Sequence, residues 1–248
     1  MLDRMMPPVD QNSALFLDID GTLLDMARTP EAVAVPDGLR SALTTLRGAL
    51  RGALAFVSGR SLTAIDRLFA PLTVPAIGCH GVEVRSVEGV VRTLAGPVAA
   101  PVRELLQRLV DAHPGTLLED KIYTLALHYR LAPEALPELE AALKTHRAVF
   151  EAGNVILQPG KSVIEIKPRG IDKGVGLRAL LREPPFKDRV PVFGGDDTTD
   201  MDVFQILPEL GGTSFSVGRR FEGVDYHFSS PRAVRQWLAR LAERGIAP

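Results

Sequence analysis

The sequence predicts an α/β fold in which a parallel sheet is interrupted by a smaller α+β domain. In the first third of the chain, apolar runs typical of strands buried on both faces alternate with segments whose apolar residues recur every three or four positions. This alternation stops near residue 82, where short paired strands begin, and it returns at Gly170. Strands that alternate with helices pair in parallel through right-handed crossovers. The change in pattern therefore predicts one α/β core with an insertion.

The individual elements follow from the same patterns. The first part of the chain predicts strands at 14–18, 53–57 and 74–78, with helices at 36–50 and 62–69. The middle part predicts helices at 98–112 and 133–149, among short strands at 82–85, 90–93, 116–118, 124–130, 154–158 and 162–167. The last part predicts helices at 172–182, 199–207 and 231–244, with strands at 190–193 and 213–217. We expect a core of residues 1–83 and 170–248 and an inserted domain of residues 84–169.

Composition and charge disfavour several classes of protein. With 46% apolar residues, 24% charged residues and a net charge of -1, the 248-residue chain has no global charge that favours nucleic acid or an anionic membrane. No apolar run reaches the roughly 20 residues of a membrane helix, and the N-terminus lacks the hydrophobic stretch of a signal peptide. The single cysteine, Cys79, excludes an intramolecular disulfide. These features predict a soluble, cytoplasmic protein.

Four groups of charged and hydroxyl side chains lie in the sequence where a predicted core strand ends or a predicted helix begins. Open α/β sheets bind ligands at such strand ends. The groups are Asp18 with Asp20, Ser58-Gly59-Arg60, Lys173 at the start of a helix, and Asp196, Asp197 and Asp200. Asp18 and Asp20 are spaced i and i+2, so both carboxylates can face one point just beyond the strand. Two such carboxylates repel each other unless a cation or a shared proton is present. This pattern favours a metal-assisted aspartate nucleophile with an acid/base partner.

Each of these groups also has a simpler structural explanation. Ser58 could cap the helix that follows it, and Lys173 could be a solvated helix residue. The acidic cluster at 196–202 could cap a helix and complement its dipole. The occurrence of all four groups in this order, each at the end of a predicted element, favours a catalytic site.

The order of the groups resembles the four motifs of the haloacid dehalogenase superfamily of phosphatases, beginning with Asp-x-Asp-Gly-Thr at residues 18–22. The resemblance implies a Rossmann-like core with an inserted C2-type cap, and Mg²⁺-dependent hydrolysis of a phosphate ester through an aspartyl-phosphate. Asp18 would be the nucleophile and Asp20 the general acid and base, while Ser58 and Lys173 would hold the transferred oxygens. Further substrate contacts would be Gly21, Thr22, Gly59 and Arg60. The Mg²⁺ site would comprise Asp18, Asp20 through its carbonyl, Asp196, Asp200 and Asp197, the last as an orienting residue.

The predicted insertion carries polar strings of its own. They are Glu119-Asp-Lys121, His128-Tyr-Arg130 and a segment in which Lys161, Glu165 and Lys167 have the spacing of one strand face. Such a face suits a surface that binds sugar hydroxyls. Lys/Glu pairs on a half-exposed sheet for solubility alone are the simpler explanation.

Together with Gly78-Cys79-His80-Gly81 and Glu83, these strings closely resemble the trehalose-phosphate phosphatase family, from about Leu15 to Phe204. The resemblance implies a small-molecule substrate, trehalose 6-phosphate, hydrolysed in the last step of trehalose biosynthesis, with functional pairing to a trehalose-phosphate synthase. The disaccharide would contact Glu119, Lys121, Arg130, Lys161 and Glu165, and His80, in a tight turn near the site, would be a further substrate-binding residue. Ile19, Cys79 and Ile122-Tyr123 depart from the family pattern, and the role of His128 stays open.

Two alternatives stay open as well. A related sugar phosphatase of the same superfamily, acting on sucrose phosphate or glucosylglycerate phosphate, would share the core motifs. A regulator that binds a sugar phosphate without catalysis would not need Asp18, Asp20, Lys173 and Asp196, so their presence favours an enzyme. Substrate profiling separates these hypotheses.

Overall fold

The computed structural model describes residues 6–27 and 32–246, and the chain divides into two compact units. The first unit takes the chain up to Arg92 and from Asp172 onward, and the second spans Thr93–Ile171. The sequence predicts no signal peptide at the N-terminus, and residues 1–5 of this segment lie outside the described part. Within the described part, no helix has the length and apolar character needed to cross a membrane.

Strands and helices alternate through most of the described chain. In chain order the strands are β1 (Ser13–Asp18), β2 (Leu54–Val57), β3 (Ala76–Gly78), β4 (Glu83–Arg85), β5 (Val91–Thr93), β6 (Leu117–Asp120), β7 (Leu125–His128), β8 (Val155–Gly160), β9 (Val163–Pro168), β10 (Val190–Gly195), β11 (Thr213–Val217) and β12 (Tyr226–Phe228). The helices are α1 (Leu39–Ala49), α2 (Leu62–Phe69), α3 (Ala100–Ala112), α4 (Leu136–Thr145), α5 (Arg147–Ala152), α6 (Lys173–Leu180), α7 (Met201–Phe204) and α8 (Pro231–Arg244).

The first unit is built on a sheet with the strand order β12-β11-β10-β1-β2-β3-β4-β5. The strands from β12 to β3 are parallel, and β4 returns antiparallel to β3. Every residue of β1 and β2 is buried, which is why these central strands are continuous apolar runs in the sequence. The predicted α/β class is thereby confirmed.

The second unit is an antiparallel sheet, β6-β7-β9-β8, packed on α3, α4 and α5. One face of the sheet supplies the core, with Leu125 and Leu127 of β7 beside Ile164 and Ile166 of β9. Side chains alternate between faces along each strand, so the opposite face carries the polar residues of the same strands.

Several predicted elements differ from those observed. The strands predicted at 82–85 and 90–93 are β4 and β5, which extend the large sheet, so the second unit begins later than the predicted insertion at 84–169. The helix predicted over 133–149 is interrupted at His146 (φ -94°, ψ 20°), which separates α4 from α5. The helix predicted over 199–207 is reduced to α7, because Thr198–Asp200 before it form a 3₁₀ turn and Ile206 after it donates to the carbonyl three residues back. The three-residue edge strand β12 has no apolar run that would predict it.

Candidate active site

The carboxyl ends of three neighbouring strands carry three of the predicted groups. Asp18 is the last residue of β1, Ser58 follows β2 and Asp196 follows β10. Because β1 pairs in parallel with both β2 and β10, all three residues lie at the same edge of the sheet. All three are buried. The strand ends that the sequence predicts as a ligand site do converge.

Lys173, the first residue of α6, links two of the acids. Asp172 caps this helix by accepting a hydrogen bond from the Val175 N–H at 2.9 Å, which fixes where the helix begins. The Lys173 Nζ donates to Asp18 Oδ1 at 2.9 Å and to Asp200 Oδ1 at 2.7 Å. Residues far apart in sequence are thus joined by one buried ammonium group.

Asp200 also organises the loop that follows β10. Its Oδ2 accepts hydrogen bonds from the N–H groups of Asp196 at 2.9 Å and of Asp197 at 3.0 Å. The Asp197 carboxylate in turn accepts from the Thr198 N–H at 2.7 Å, and Asp197 and Asp200 together form a capping box. Asp197, which the sequence places in the metal site as an orienting residue, therefore uses its carboxylate to hold this turn.

The carboxylates of Asp18, Asp196 and Asp200 form a group that suits a divalent cation. One oxygen from each lies within 4.8 Å of the others, and all three residues are buried. Burial raises the pKa of Asp18 well above its ordinary value; the Lys173 ammonium opposes this, and Asp200 and Asp196 add to it. Burial acts to lower the pKa of Lys173, but Asp18 and Asp200 outweigh it and raise that pKa. One ammonium facing three carboxylates leaves negative charge that a hard cation with oxygen ligands would offset.

Gly21 and Thr22 follow Asp20 in a tight turn. Gly21 has φ +86°, and a Cβ at this position would come within 2.2 Å of Asp196 Oδ2, so a larger residue would displace that carboxylate. Thr22 is fully buried, and its Oγ1 has no hydrogen-bond partner among the described residues. An unpaired buried hydroxyl costs free energy unless a ligand or water satisfies it, which is compatible with the predicted substrate contact.

Asp20 is held by Arg60 through two charge-assisted hydrogen bonds. The guanidinium Nε donates to Asp20 Oδ2 at 2.6 Å, and a terminal nitrogen donates to Oδ1 at 2.7 Å. The Arg60 N–H also donates to Ser58 Oγ at 3.1 Å. In this structure the guanidinium of Arg60, predicted as a substrate contact, orients the carboxylate predicted as general acid and base.

The turn that contains His80 is bonded to the loop after β2. The His80 N–H donates to the Ser58 carbonyl at 3.1 Å, and the Cys79 N–H donates to the Arg60 carbonyl at 2.8 Å. The His80 ring lies against Gly59, where a Cβ would come within 2.4 Å of Nε2. His80 is therefore buried behind the Ser58–Arg60 loop, as a support for the predicted phosphate contacts.

The same turn fixes the starts of two helices. Glu83 Oε2 accepts a hydrogen bond from the Leu62 N–H, in the first turn of α2, at 2.7 Å. Gly81 packs against the cap of α6, since a Cβ at Gly81 would come within 1.9 Å of the Asp172 carbonyl oxygen. Glu83 and Gly81 thus help to fix where α2 and α6 begin, and α6 carries Lys173.

In the second unit, three of the predicted sugar contacts lie together on the polar face of the sheet. Glu119 of β6 and Glu165 of β9 are in register through Ala126 of β7. The Lys121 Nζ lies 3.6 Å from Glu119 Oε2 and 3.8 Å from Glu165 Oε1. His128, whose role the sequence leaves open, lies 3.0 Å through its Nε2 from the same Glu119 oxygen.

Lys161 lies in a turn and not on a strand. The strands β8 and β9 form a hairpin whose two turn residues are Lys161 and Ser162, the latter with φ 63°. The predicted common face therefore holds for Glu165 and Lys167 but not for Lys161, because the chain reverses before β9 begins. Arg130 donates to the Lys161 carbonyl at 3.3 Å, so both residues lie at this end of the hairpin.

Two residues that support these groups were not predicted from the sequence. Arg235 of α8 donates to the Leu23 carbonyl at 2.9 Å and to Asp25 at 3.0 Å, and so holds the loop that follows Asp20. No local pattern marks this long-range contact. The pairing of His128 with Glu119 has a weak signal, because the two residues occupy diagonal positions on adjacent strands.

Comparison with known proteins agrees with this geometry. The trehalose-phosphatase family matches residues 16–232. A Sinorhizobium fredii protein named "probable trehalose-phosphate phosphatase" is 45% identical over 93% of this chain and 88% of its own length. The trehalose-6-phosphate phosphatase of Escherichia coli is 36% identical over 95% of this chain and 88% of its own. The C-terminal domain of the Candida albicans trehalose-6-phosphate phosphatase superposes with a TM-score of 0.81 at 22% identity, covering 96% of this chain and 99% of that one, and so has the same fold. The chain belongs to the trehalose-phosphatase family.

Proposed function

We propose that this protein is a Mg²⁺-dependent phosphatase that hydrolyses trehalose 6-phosphate to trehalose and inorganic phosphate. The observation that carries the proposal is the buried network of Lys173, Asp18 and Asp200 beside Asp196. Burying carboxylates is costly, so a fold that serves only stability gains little from three of them. Phosphoryl transfer, by contrast, needs a nucleophile and concentrated positive charge at one point. Membership of the trehalose-phosphatase family supports the disaccharide ester as substrate.

The reaction proceeds in two steps. In the first, an Asp18 carboxylate oxygen attacks phosphorus, the bond from phosphorus to the sugar oxygen breaks, and Asp20 gives that oxygen a proton. In the second, Asp20, now ionised, takes a proton from a water molecule whose oxygen attacks phosphorus, and the bond to Asp18 breaks. Phosphate leaves, Asp18 is again a carboxylate and Asp20 is again protonated.

The other residues of the first unit position these groups. Arg60 pairs with Asp20 in its ionised form, the form that Asp20 has between the two steps, and Ser58 and Lys173 donate to the transferred oxygens. The backbone N–H of Gly59 and the hydroxyl of Thr22 add donors around the phosphate, whereas the Gly21 N–H donates to the Leu24 carbonyl at 2.8 Å and shapes the turn. Asp18, Asp196, Asp200 and the Asp20 carbonyl would hold Mg²⁺, which would supply positive charge that offsets the charge of the phosphate group. Asp197 holds the loop on which two of these ligands lie.

The second unit provides the contacts for the disaccharide. They are Glu119, Lys121, Arg130, Lys161 and Glu165. The carboxylates accept hydrogen bonds from sugar hydroxyls, and the ammonium and guanidinium groups donate to them. A trehalose-phosphate synthase would supply the substrate, since the reaction consumes the ester that such an enzyme forms.

Phosphate release from three esters tests the proposal. Trehalose 6-phosphate, sucrose 6-phosphate and glucose 6-phosphate are compared, each with Mg²⁺ and with a chelator. We expect release that depends on Mg²⁺ and strongly prefers the trehalose ester. Preference for the sucrose ester would assign the protein to the related sugar phosphatases, and no release from any ester would favour a sugar-phosphate-binding regulator.

A further inference from the structure

A histidine–carboxylate pair lies among the proposed sugar contacts of the second unit. His128 Nε2 is 3.0 Å from Glu119 Oε2, and the side chains are 25% and 35% exposed. Lys121 lies 3.6 Å from the same oxygen. Within the described residues, no hydrogen bond reaches the other oxygen of Glu119, Oε1.

The hydrogen bond has a definite direction. Burial acts to raise the pKa of Glu119, but the bond to His128 and the charge of Lys121 outweigh it and lower that pKa from 4.5, so the carboxylate is ionised at neutral pH. An ionised carboxylate can only accept a hydrogen bond, so His128 Nε2 carries a hydrogen and is the donor of this bond. This bond fixes one oxygen of Glu119 and leaves Oε1 as the acceptor available to a ligand.

We propose that His128 is a positioning residue of the sugar site, which holds the Glu119 carboxylate with Oε1 turned to accept a hydroxyl of the disaccharide. The inference rests on the proposed function, in which Glu119 contacts the sugar. A purely structural role, as a diagonal cross-strand pair between β6 and β7, is the competing explanation. The two roles differ in what a substitution changes: positioning affects only substrates that reach Glu119.

The experiment measures kcat/KM for trehalose 6-phosphate and for 4-nitrophenyl phosphate, which has no sugar. His128→Ala removes the donor, His128→Asn keeps an amide that is too short to reach, and His128→Gln keeps an N–H at the distance of Nε2. We expect the Ala and Asn variants to lower kcat/KM for the sugar ester about tenfold, and the Gln variant to recover most of it. All three should leave kcat/KM for the aryl ester unchanged. In a Glu119→Gln background, His128→Ala should cause no further loss.

A second histidine–glutamate pair of the same unit provides the matched control. His113 is bonded through Nδ1 to the Leu109 carbonyl at 2.6 Å, and its Nε2 lies 3.4 Å from Glu138, on the helical side of the unit. His113→Ala should leave both substrates unaffected. Three results for His128 would overturn the inference: equal losses for both esters in His128→Ala, no loss for either ester, or no recovery in His128→Gln. The proposed function would still stand in each case if Glu119→Gln lowers kcat/KM for the sugar ester. An undiminished kcat/KM for the sugar ester in Glu119→Gln would overturn the assigned sugar contact, and the role of His128 with it.

Discussion

Replacement of Lys173 by methionine removes the ammonium group that pairs with Asp18 and Asp200 while keeping most of the side-chain volume. The ammonium bonds Asp18 at 2.9 Å and Asp200 at 2.7 Å, and the three side chains are 4%, 6% and 0% exposed. Removing one partner of such a buried pair costs about 3–5 kcal/mol, because the other charge stays buried without compensation. Native domains are stable by about 5–15 kcal/mol, so this loss is a large part of the total. We expect Lys173→Met to lower the free energy of unfolding of the first unit by about 3–5 kcal/mol in the presence of a chelator.

The fluorescence of Trp237 reports on this unit. It is the single tryptophan of the chain, lies in α8 and is 2% exposed, and its ring centroid is 5.3 Å from that of Phe215. Urea unfolding followed by this fluorescence at pH 7 gives the free energy of unfolding by linear extrapolation. Lys187→Met is the control, because Lys187 is exposed in the same unit. Its free energy of unfolding should change by no more than about 0.5 kcal/mol.

Mg²⁺ separates the electrostatic explanation from simple mispacking. A divalent cation among Asp18, Asp196 and Asp200 would replace the positive charge that the variant lacks, so added Mg²⁺ should recover part of the lost stability. Mispacking of the methionine alone would leave the gain from Mg²⁺ equal to that of the wild type, so the electrostatic explanation requires a larger gain in the variant. A Lys173→Met protein within about 1 kcal/mol of the wild type in chelator would refute the inference that this network depends on its ammonium group.

Three further variants test separate parts of the proposal. Asp18→Asn keeps the side-chain size but removes the nucleophile, so phosphate release should be lost; retained turnover would contradict the aspartyl-phosphate mechanism. Asp196→Asn removes a cation ligand, so Mg²⁺ should raise the melting temperature of the wild type but not of the variant, and equal shifts in both would argue against this ligand. Glu119→Gln removes a carboxylate whose folded pKa is lowered from 4.5. The stability that this carboxylate contributes is present above pH 4.5 and is lost as the pH falls through the folded pKa. The free energies of urea unfolding of the wild type and the variant should therefore converge as the pH is lowered below 4.5. A difference that does not change with pH would exclude the assigned bond.

The residues best predicted from the sequence are those placed by strand ends. Asp18, Ser58 and Asp196 converge because parallel strands present their carboxyl ends at one edge, whatever the details of packing. The bidentate pairing of Arg60 with Asp20 could not be predicted in this way. It joins residues 40 positions apart through a long side chain, and its partner depends on the folded loop. The same holds for Arg235, which reaches Leu23 across 212 positions.

Strand periodicity predicts a face only as far as the strand extends. Glu165 and Lys167 share a face, but Lys161 precedes a residue with φ 63° in a two-residue turn, where the alternation of side chains no longer applies. The predicted insertion, 84–169, and the second unit, Thr93–Ile171, begin at different residues for a related reason. The hairpin of β4 and β5 has the pattern of an inserted domain, yet its first strand pairs with β3 of the large sheet.

The proposed phosphate-binding residues of the first unit and the proposed sugar contacts of the second unit differ in how they use charge, and this difference follows from what each must bind. Asp18, Asp200 and Lys173 are at most 6% exposed, so their interactions are little screened by water, as phosphoryl transfer requires. Glu119 and His128 are 35% and 25% exposed, so water can satisfy them when no sugar is bound. A fully buried carboxylate at Glu119 would need a permanent partner for each oxygen and would leave none for a hydroxyl. Partial exposure, with one oxygen held by His128, is therefore the arrangement that allows a sugar to bind and its product to leave.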